Sequence, residues 1–130
     1  MEKKELLELL TKNFKNDGFF KKNKTWHKAI KDVTLVCDVQ VSQWNNNDFY
    51  INIGIIVRKL DDIHPISTGN LHLWDRIDQK KQLTIDKVYS SIQEWFSHYD
   101  TLEKIETAYK KKQLPSLVRW DLRKYLENLK

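Results

Sequence analysis

Apolar positions along this chain follow two periods, and the change between them divides the sequence. Leu6, Leu7, Leu10 and Phe14 recur at helical spacing, which predicts a first helix from about Lys3 to Phe14. "NDG" at 16–18 ends it, Gly18 being suited to the left-handed position after a helix. The period then becomes two. "FFKKNKTWHKAI" reads as a hairpin-like strand region around Trp26, "KD" at 31–32 as a tight connection, and "VTLVCDVQVSQW" as a long strand. "NNND" at 45–48 is a turn signal leading into a second long strand, "FYINIGIIVRKL". "DDIHPISTGN" at 61–70 is a loop broken by Pro65 and Gly69, and "LHLWDRI" at 71–77 is a further short strand.

After about residue 83 the period returns to 3.6. Val88, Ile92, Trp95, Phe96 and Tyr99 form one stripe, and Leu102, Ile105 and Tyr109 another behind a cap at Asp100. Pro115 suits the first turn of a last helix, capped near Leu114, whose face carries Val118, Leu122, Tyr125 and Leu129. The layout is α+β: an N-terminal helix, an antiparallel meander of about four strands, then three C-terminal helices, in one domain over residues 1–130.

Strand alternation sorts the side chains onto two faces. Val33, Leu35, Cys37, Val39 and Val41 share a side with Phe49, Ile51, Ile53, Ile55 and Val57, and this side is expected to bury against the helices. Leu71, Leu73 and Ile77 are assigned to it as well. The opposite side carries Thr34, Val36, Asp38, Gln40, Ser42 and Trp44 facing Tyr50, Asn52, Gly54, Ile56 and Arg58, with His72, Trp74 and Arg76 beyond. Asn52, set in an isoleucine-rich strand, therefore belongs to a second, polar face. Gln40, Ser42, Trp44, Tyr50, Asn52, His72, Trp74 and Arg76 are the candidate binding residues, because hydrogen-bonding groups mixed with aromatics suit a recognition surface. Two plainer readings compete. The face is simply the solvated side of an antiparallel sheet, or the C-terminal helices cover it and satisfy Asn52 internally.

Composition changes this picture little. With 40% hydrophobic and 32% charged residues the protein is an ordinary globular one, and no apolar run approaches a membrane span. The N-terminus "MEKKELLELL" lacks the pattern of a secretory signal. Cys37 stands alone, so it has no internal disulfide partner and suits a buried strand position in a reducing cytoplasm. The net charge of +5 favours an acidic partner, but the lysine runs at 21–24, 80–81 and 110–112 are dispersed. His27, His64, His72 and His98 show no zinc spacing, and "DDIH" at 61–64 reads as a solvated loop more than a metal site. No catalytic motif, metal site or cofactor is read from the residues. His72 and Arg76 share a face about 13 Å apart along a strand, enough to raise an anion-binding enzyme as a minority reading.

The segments "GF" at 18–19, Trp26, "QVSQW" at 40–44, "FYINIG" at 49–54 and "LHLWDRI" at 71–77 resemble the bacterial family known as domain of unknown function 4304. The resemblance covers most of the sequence up to about residue 100 and implies a small cytoplasmic α+β domain. Some members look like immunity proteins carried beside secreted toxins. The family's polar positions fall on Gln40, Ser42, Asn52, His72 and Arg76, while Leu71 stands where a cysteine often precedes the histidine. The expectation is a cytoplasmic protein-binding module, an immunity protein blocking a toxin through the polar and aromatic sheet face, and not an enzyme. A nucleic-acid-binding domain using the lysines and aromatics is the alternative, and a hydrolase or transferase at His72 and Arg76 the third. No membrane partner is expected, and oligomeric state is not legible.

Overall fold

A computed structural model describes residues 3–41, 49–77, 85–115 and 117–129. Among them the element order is α1 (Lys3–Asn16), β1 (Phe20–Lys22), β2 (Thr25–Ile30), β3 (Val33–Val41), β4 (Phe49–Val57), β5 (Leu73–Ile77), α2 (Ile85–Tyr99), α3 (Leu102–Lys110), β6 (Leu117–Val118) and α4 (Trp120–Glu127). The six strands form one sheet in sequence order, every neighbouring pair antiparallel. The α+β class thus holds, with six strands instead of about four. The extra strands have local causes. Asn23 and Lys24 both take positive φ, the requirement of a primed two-residue turn, and so split the first strand region into the β1–β2 hairpin. Leu117 and Val118, placed by periodicity near the start of the last helix, instead pair with Trp74 and Leu73, and the helix begins at Trp120.

The first helix ends as its sequence dictates. Gly18 has φ of 86°, its N–H reaches Lys15 O at 3.1 Å, and the Phe19 N–H reaches Phe14 O at 2.9 Å. That pair of bonds is a Schellman stop, which turns the backbone into β1. The cap of α3 is Thr101 and not Asp100: its hydroxyl accepts from the Lys104 N–H at 3.1 Å. A backbone N–H at the same helix start, that of Leu102, is taken by the Asp32 carboxylate at 3.1 Å, which ties α3 to the β2–β3 turn.

The four helices cover one face of the sheet. Leu6, Leu10 and Phe14 of α1, Val88, Ile92 and Phe96 of α2, Ile105 of α3 and Leu122 of α4 meet Val33, Leu35, Cys37, Ile51, Ile53, Ile55 and Leu73 in one apolar core. These strand residues lie on the inner side, as alternation predicts. Asp75 is on the same side by alternation, opposite Ile53, and its carboxylate accepts from the Trp95 indole N–H at 3.0 Å. A carboxylate is kept in that layer because an α2 side chain supplies its donor.

Half of the second face is also buried, by a different element. The loop between β4 and β5 folds back over the sheet, and Ile63 and Leu71 pack on Val36 and Ile56 with Ile66 and Trp74 at the margin. Gly54 makes this possible. A Cβ there would lie 2.4 Å from Leu71 Cδ1 and 2.4 Å from Leu73 O. The space that Gly54 leaves is therefore filled by Leu71, which belongs to the second face and not to the helix side where alternation places it. Strand alternation does not reach Leu71, since β5 begins only at Leu73.

Candidate functional site on the second face

The register aligns Thr25, Asp38, Asn52 and Arg76 in a row across β2, β3, β4 and β5. Asn52, 4% exposed, uses both ends of its amide. Its Nδ2 donates to Asp38 Oδ1 at 2.9 Å and to Gln40 Oε1 at 3.1 Å, and its Oδ1 accepts from Arg76 Nε at 3.1 Å. The orientation follows from chemistry: a carboxylate only accepts and a guanidinium only donates, so the NH2 group must face Asp38 and the carbonyl Arg76. Thr68, brought over the sheet by the β4–β5 loop, donates its hydroxyl to Asp38 Oδ2 at 2.5 Å. The Arg76 guanidinium carbon lies 4.7 Å from the centre of the Tyr50 ring, in cation–π contact.

Gln40, Tyr50, Asn52 and Arg76 are thus brought together, as expected, and Asp38 and Thr68 join them. Asp38 falls on the polar side by alternation, although it is not among the candidate binding residues. Thr68 is not readable from the sequence, because a loop residue has no periodicity to place it. Gln40 and Arg76 are exposed and Tyr50 half-buried, so this end of the face remains open. Ser42 and Trp44 lie outside the described residues. Trp74 is half-buried at the edge of the loop-covered cluster, and its indole N–H finds no partner among the described residues.

His72 is not on this surface. It is fully buried between the end of β4 and the start of α4. Its N–H donates to Ile55 O at 3.0 Å, and its carbonyl accepts from the Arg119 N–H at 2.8 Å. The ring nitrogen Nδ1 accepts from the Val57 N–H at 2.9 Å, while Nε2 lies 3.2 Å from Asp121 Oδ2, close but poorly aligned. A ring whose Nδ1 accepts carries its single proton on Nε2 and is neutral. Burial holds its pKa below 6.5, prevailing over the opposing pull of Asp121. His72 is a joint between the sheet and α4, and it does not share a face with Arg76 as alternation predicts. The reason is the one that applies to Leu71: residues before Leu73 are loop, where the two-residue alternation does not hold.

Cys37 is buried in the main core, and burial, with Asp38 next to it in sequence, pushes its thiol well above its ordinary pKa. It is a small core side chain. Among the described residues no three His, Cys, Asp or Glu side chains lie together as a metal ion needs. A large hollow of about 870 Å³ lies elsewhere, between the β2–β3 turn and α3. One of its charged residues, Lys104, is bound to Asp100 at 2.8 Å and to Ser97 O at 3.0 Å. No helix among the described residues is long and apolar enough to cross a membrane.

Residues 10–127 match the family described as Domain of unknown function (DUF4304). No curated protein and no solved structure matches the sequence.

Proposed function

Since the protein belongs to the DUF4304 family, whose description carries no activity, we propose its function from the geometry of the second face: it is a protein-binding module of the immunity type, taking an acidic partner on the open end around Gln40, Tyr50 and Arg76. The observation that carries this reading is the arginine. Arg76 is exposed, yet its guanidinium is held edge-on by Asn52 and face-on by Tyr50. Solvated arginines ordinarily sample many rotamers, and one fixed in advance loses less entropy when it binds. Aromatic residues and arginine are the side chains that most often dominate protein interfaces. The net charge of +5 suits an acidic partner and steers it toward the module. With His72 buried apart from Arg76, no observation favours an enzyme acting on a small anion. A cytoplasmic location, where a toxin would be met, is part of the proposal.

Capture from host lysate, treated with nuclease and divided between low and high salt, tests it. The intact protein should retain one stoichiometric partner in both salts. Arg76→Ala should lower retention more than about tenfold, as loss of an interface anchor does, without altering the far-UV spectrum. Retention of nucleic acid alone, lost at high salt, would replace this reading with the electrostatic one. Equal capture by Arg76→Ala and Tyr50→Ala would show that the partner sits elsewhere.

A further inference from the structure

We infer that Arg76 is a fork for a single carboxylate, either an aspartate or glutamate side chain or the terminal carboxylate of the partner polypeptide. The inference rests on the module reading for the source of the carboxylate, and on the geometry for its chemistry. A guanidinium can grip a carboxylate side-on, through Nε and one terminal nitrogen, or end-on, through both terminal nitrogens. Asn52 Oδ1 occupies Nε at 3.1 Å, so only the end-on grip remains. Neither terminal nitrogen has a hydrogen bond among the described residues, and the group is exposed. The Tyr50 ring lies 4.7 Å from the guanidinium carbon in cation–π contact, and Asn52, itself held by Asp38 and Gln40, anchors Nε.

The row also explains why the charge is available. Asp38, the acid of the network, is two strands away from Arg76, roughly 10 Å at ordinary strand spacing. The amide of Asn52 stands between them and passes a hydrogen bond on without neutralising the cation. An aspartate at 52 would have closed the ion pair; an asparagine orients Arg76 and leaves its charge for another group. A monoanion fits this setting better than a phosphate dianion. The carboxylate of Asp75 lies on the helix side of the sheet, so Arg76 is the one cation offered on this face, and no lysine contacts it among the described residues. Added negative charge beyond one unit is disfavoured there.

The full-length protein labelled with ¹⁵N allows the fork to be read directly. The Arg76 Nε–Hε resonance, assigned by its absence in Arg76→Lys, is followed while sodium acetate, sodium chloride or sodium phosphate is added at matched ionic strength. Acetate should give a saturating shift and chloride none. Arg76→Lys, which keeps the charge and loses the fork, should abolish saturation at the amides of Tyr50 and Asn52. Asn52→Ala should weaken acetate by about threefold or more as the guanidinium loses its anchor. Equal responses to acetate and chloride, or an unchanged response in Arg76→Lys, would overturn the inference. Tighter binding of phosphate than of acetate would overturn its choice of ligand. The two readings fail separately. A partner captured equally by Arg76→Lys removes the fork and leaves the module, while a saturating acetate shift with no captured protein removes the module and leaves the fork.

Discussion

An amide buried in a strand costs stability unless its groups are paired, and at Asn52 two acceptors and one donor are within reach. Replacing it with leucine, similar in volume, removes all three bonds at once and leaves Asp38 and Arg76 each short of a partner. Urea unfolding of Asn52→Leu should show a loss of about 1–3 kcal/mol, the range for stranding buried polar groups. A variant as stable as the parent would mean the row is not a source of stability. That Asn52 faces Gln40 and Arg76 is legible in the sequence, because alternation fixes which residues share a side. The partner that matters most, Asp38, is equally legible by the same rule, although nothing in its type marks it out from other strand acids. The loop hydroxyl of Thr68 is not legible at all.

At His72 the consequence is a dependence on pH. Well above 6.5 the ring is neutral in both the folded and the unfolded state, and it contributes nothing to the slope. Below 6.5 the unfolded state takes up a proton that the folded ring resists, because burial disfavours the charged ring, and protonating Nδ1 would also break its bond from the Val57 N–H. Stability therefore falls as pH is lowered from 6.5 toward the folded value, by up to about 1.4 kcal/mol per pH unit. His27, half-buried and lowered first by burial and then by Lys22 and His64, adds a slope of the same sign. Thermal melts between pH 7 and 5 should show a reduced acid sensitivity in His72→Asn, whose amide oxygen can still accept from Val57. An unchanged slope would assign the effect to other groups.

Elements hold together where β4, β5 and the loop between them meet. Gly54 is the hinge of that arrangement, since a methyl group there would press on Leu71 Cδ1 and on the carbonyl oxygen of Leu73. The leucine side group can turn away, but the carbonyl belongs to the β5 end of the ladder and cannot move without parting the strands. Gly54→Ala should cost about 1–3 kcal/mol by overpacking and should speed amide exchange across the loop at residues 61–70 more than in α1. Uniform acceleration throughout the protein would indicate global destabilisation instead. At this scale the sequence is legible wherever an element is long. Both long strands, α1 and the α2 and α3 stripes stand close to where periodicity puts them. The departures are short or irregular pieces. A two-residue strand such as β6 has no period to detect, and at Leu71 and His72 the alternation is carried past the strand that produces it. Asp75 shows the converse, an acid that alternation places on the inner face and that Trp95 makes tolerable there.

The whole molecule is a meander in which each strand pairs with the next in sequence, and only between β5 and β6 do helices, α2 and α3, intervene. Apart from residues 58–72 between β4 and β5, the loops closed by the pairings from β1 to β5 are short, so the entropy lost before those contacts form is modest. Refolding from urea should be single-exponential on a timescale of milliseconds to tens of milliseconds, as for mixed domains of local topology. Two phases of equal amplitude on the fast timescale would argue that the β5–β6 closure forms as a separate step.

The two outer strands of this sheet have three residues and two, and β1 carries Lys21 and Lys22, with Lys24 in the turn that follows it. An exposed strand edge is a template on which further strands can be laid, and brevity and lysine are two of the ways such growth is discouraged. A protein whose central strands are as rich in isoleucine and valine as β3 and β4 would, if either lay at the rim, be a seed for fibres. Here β3 is flanked by β2 up to Asp38 and β4 by β5 from Ile51 to Ile55, and the two outermost strands are short, one of them lysine-bearing, which discourages growth at those edges.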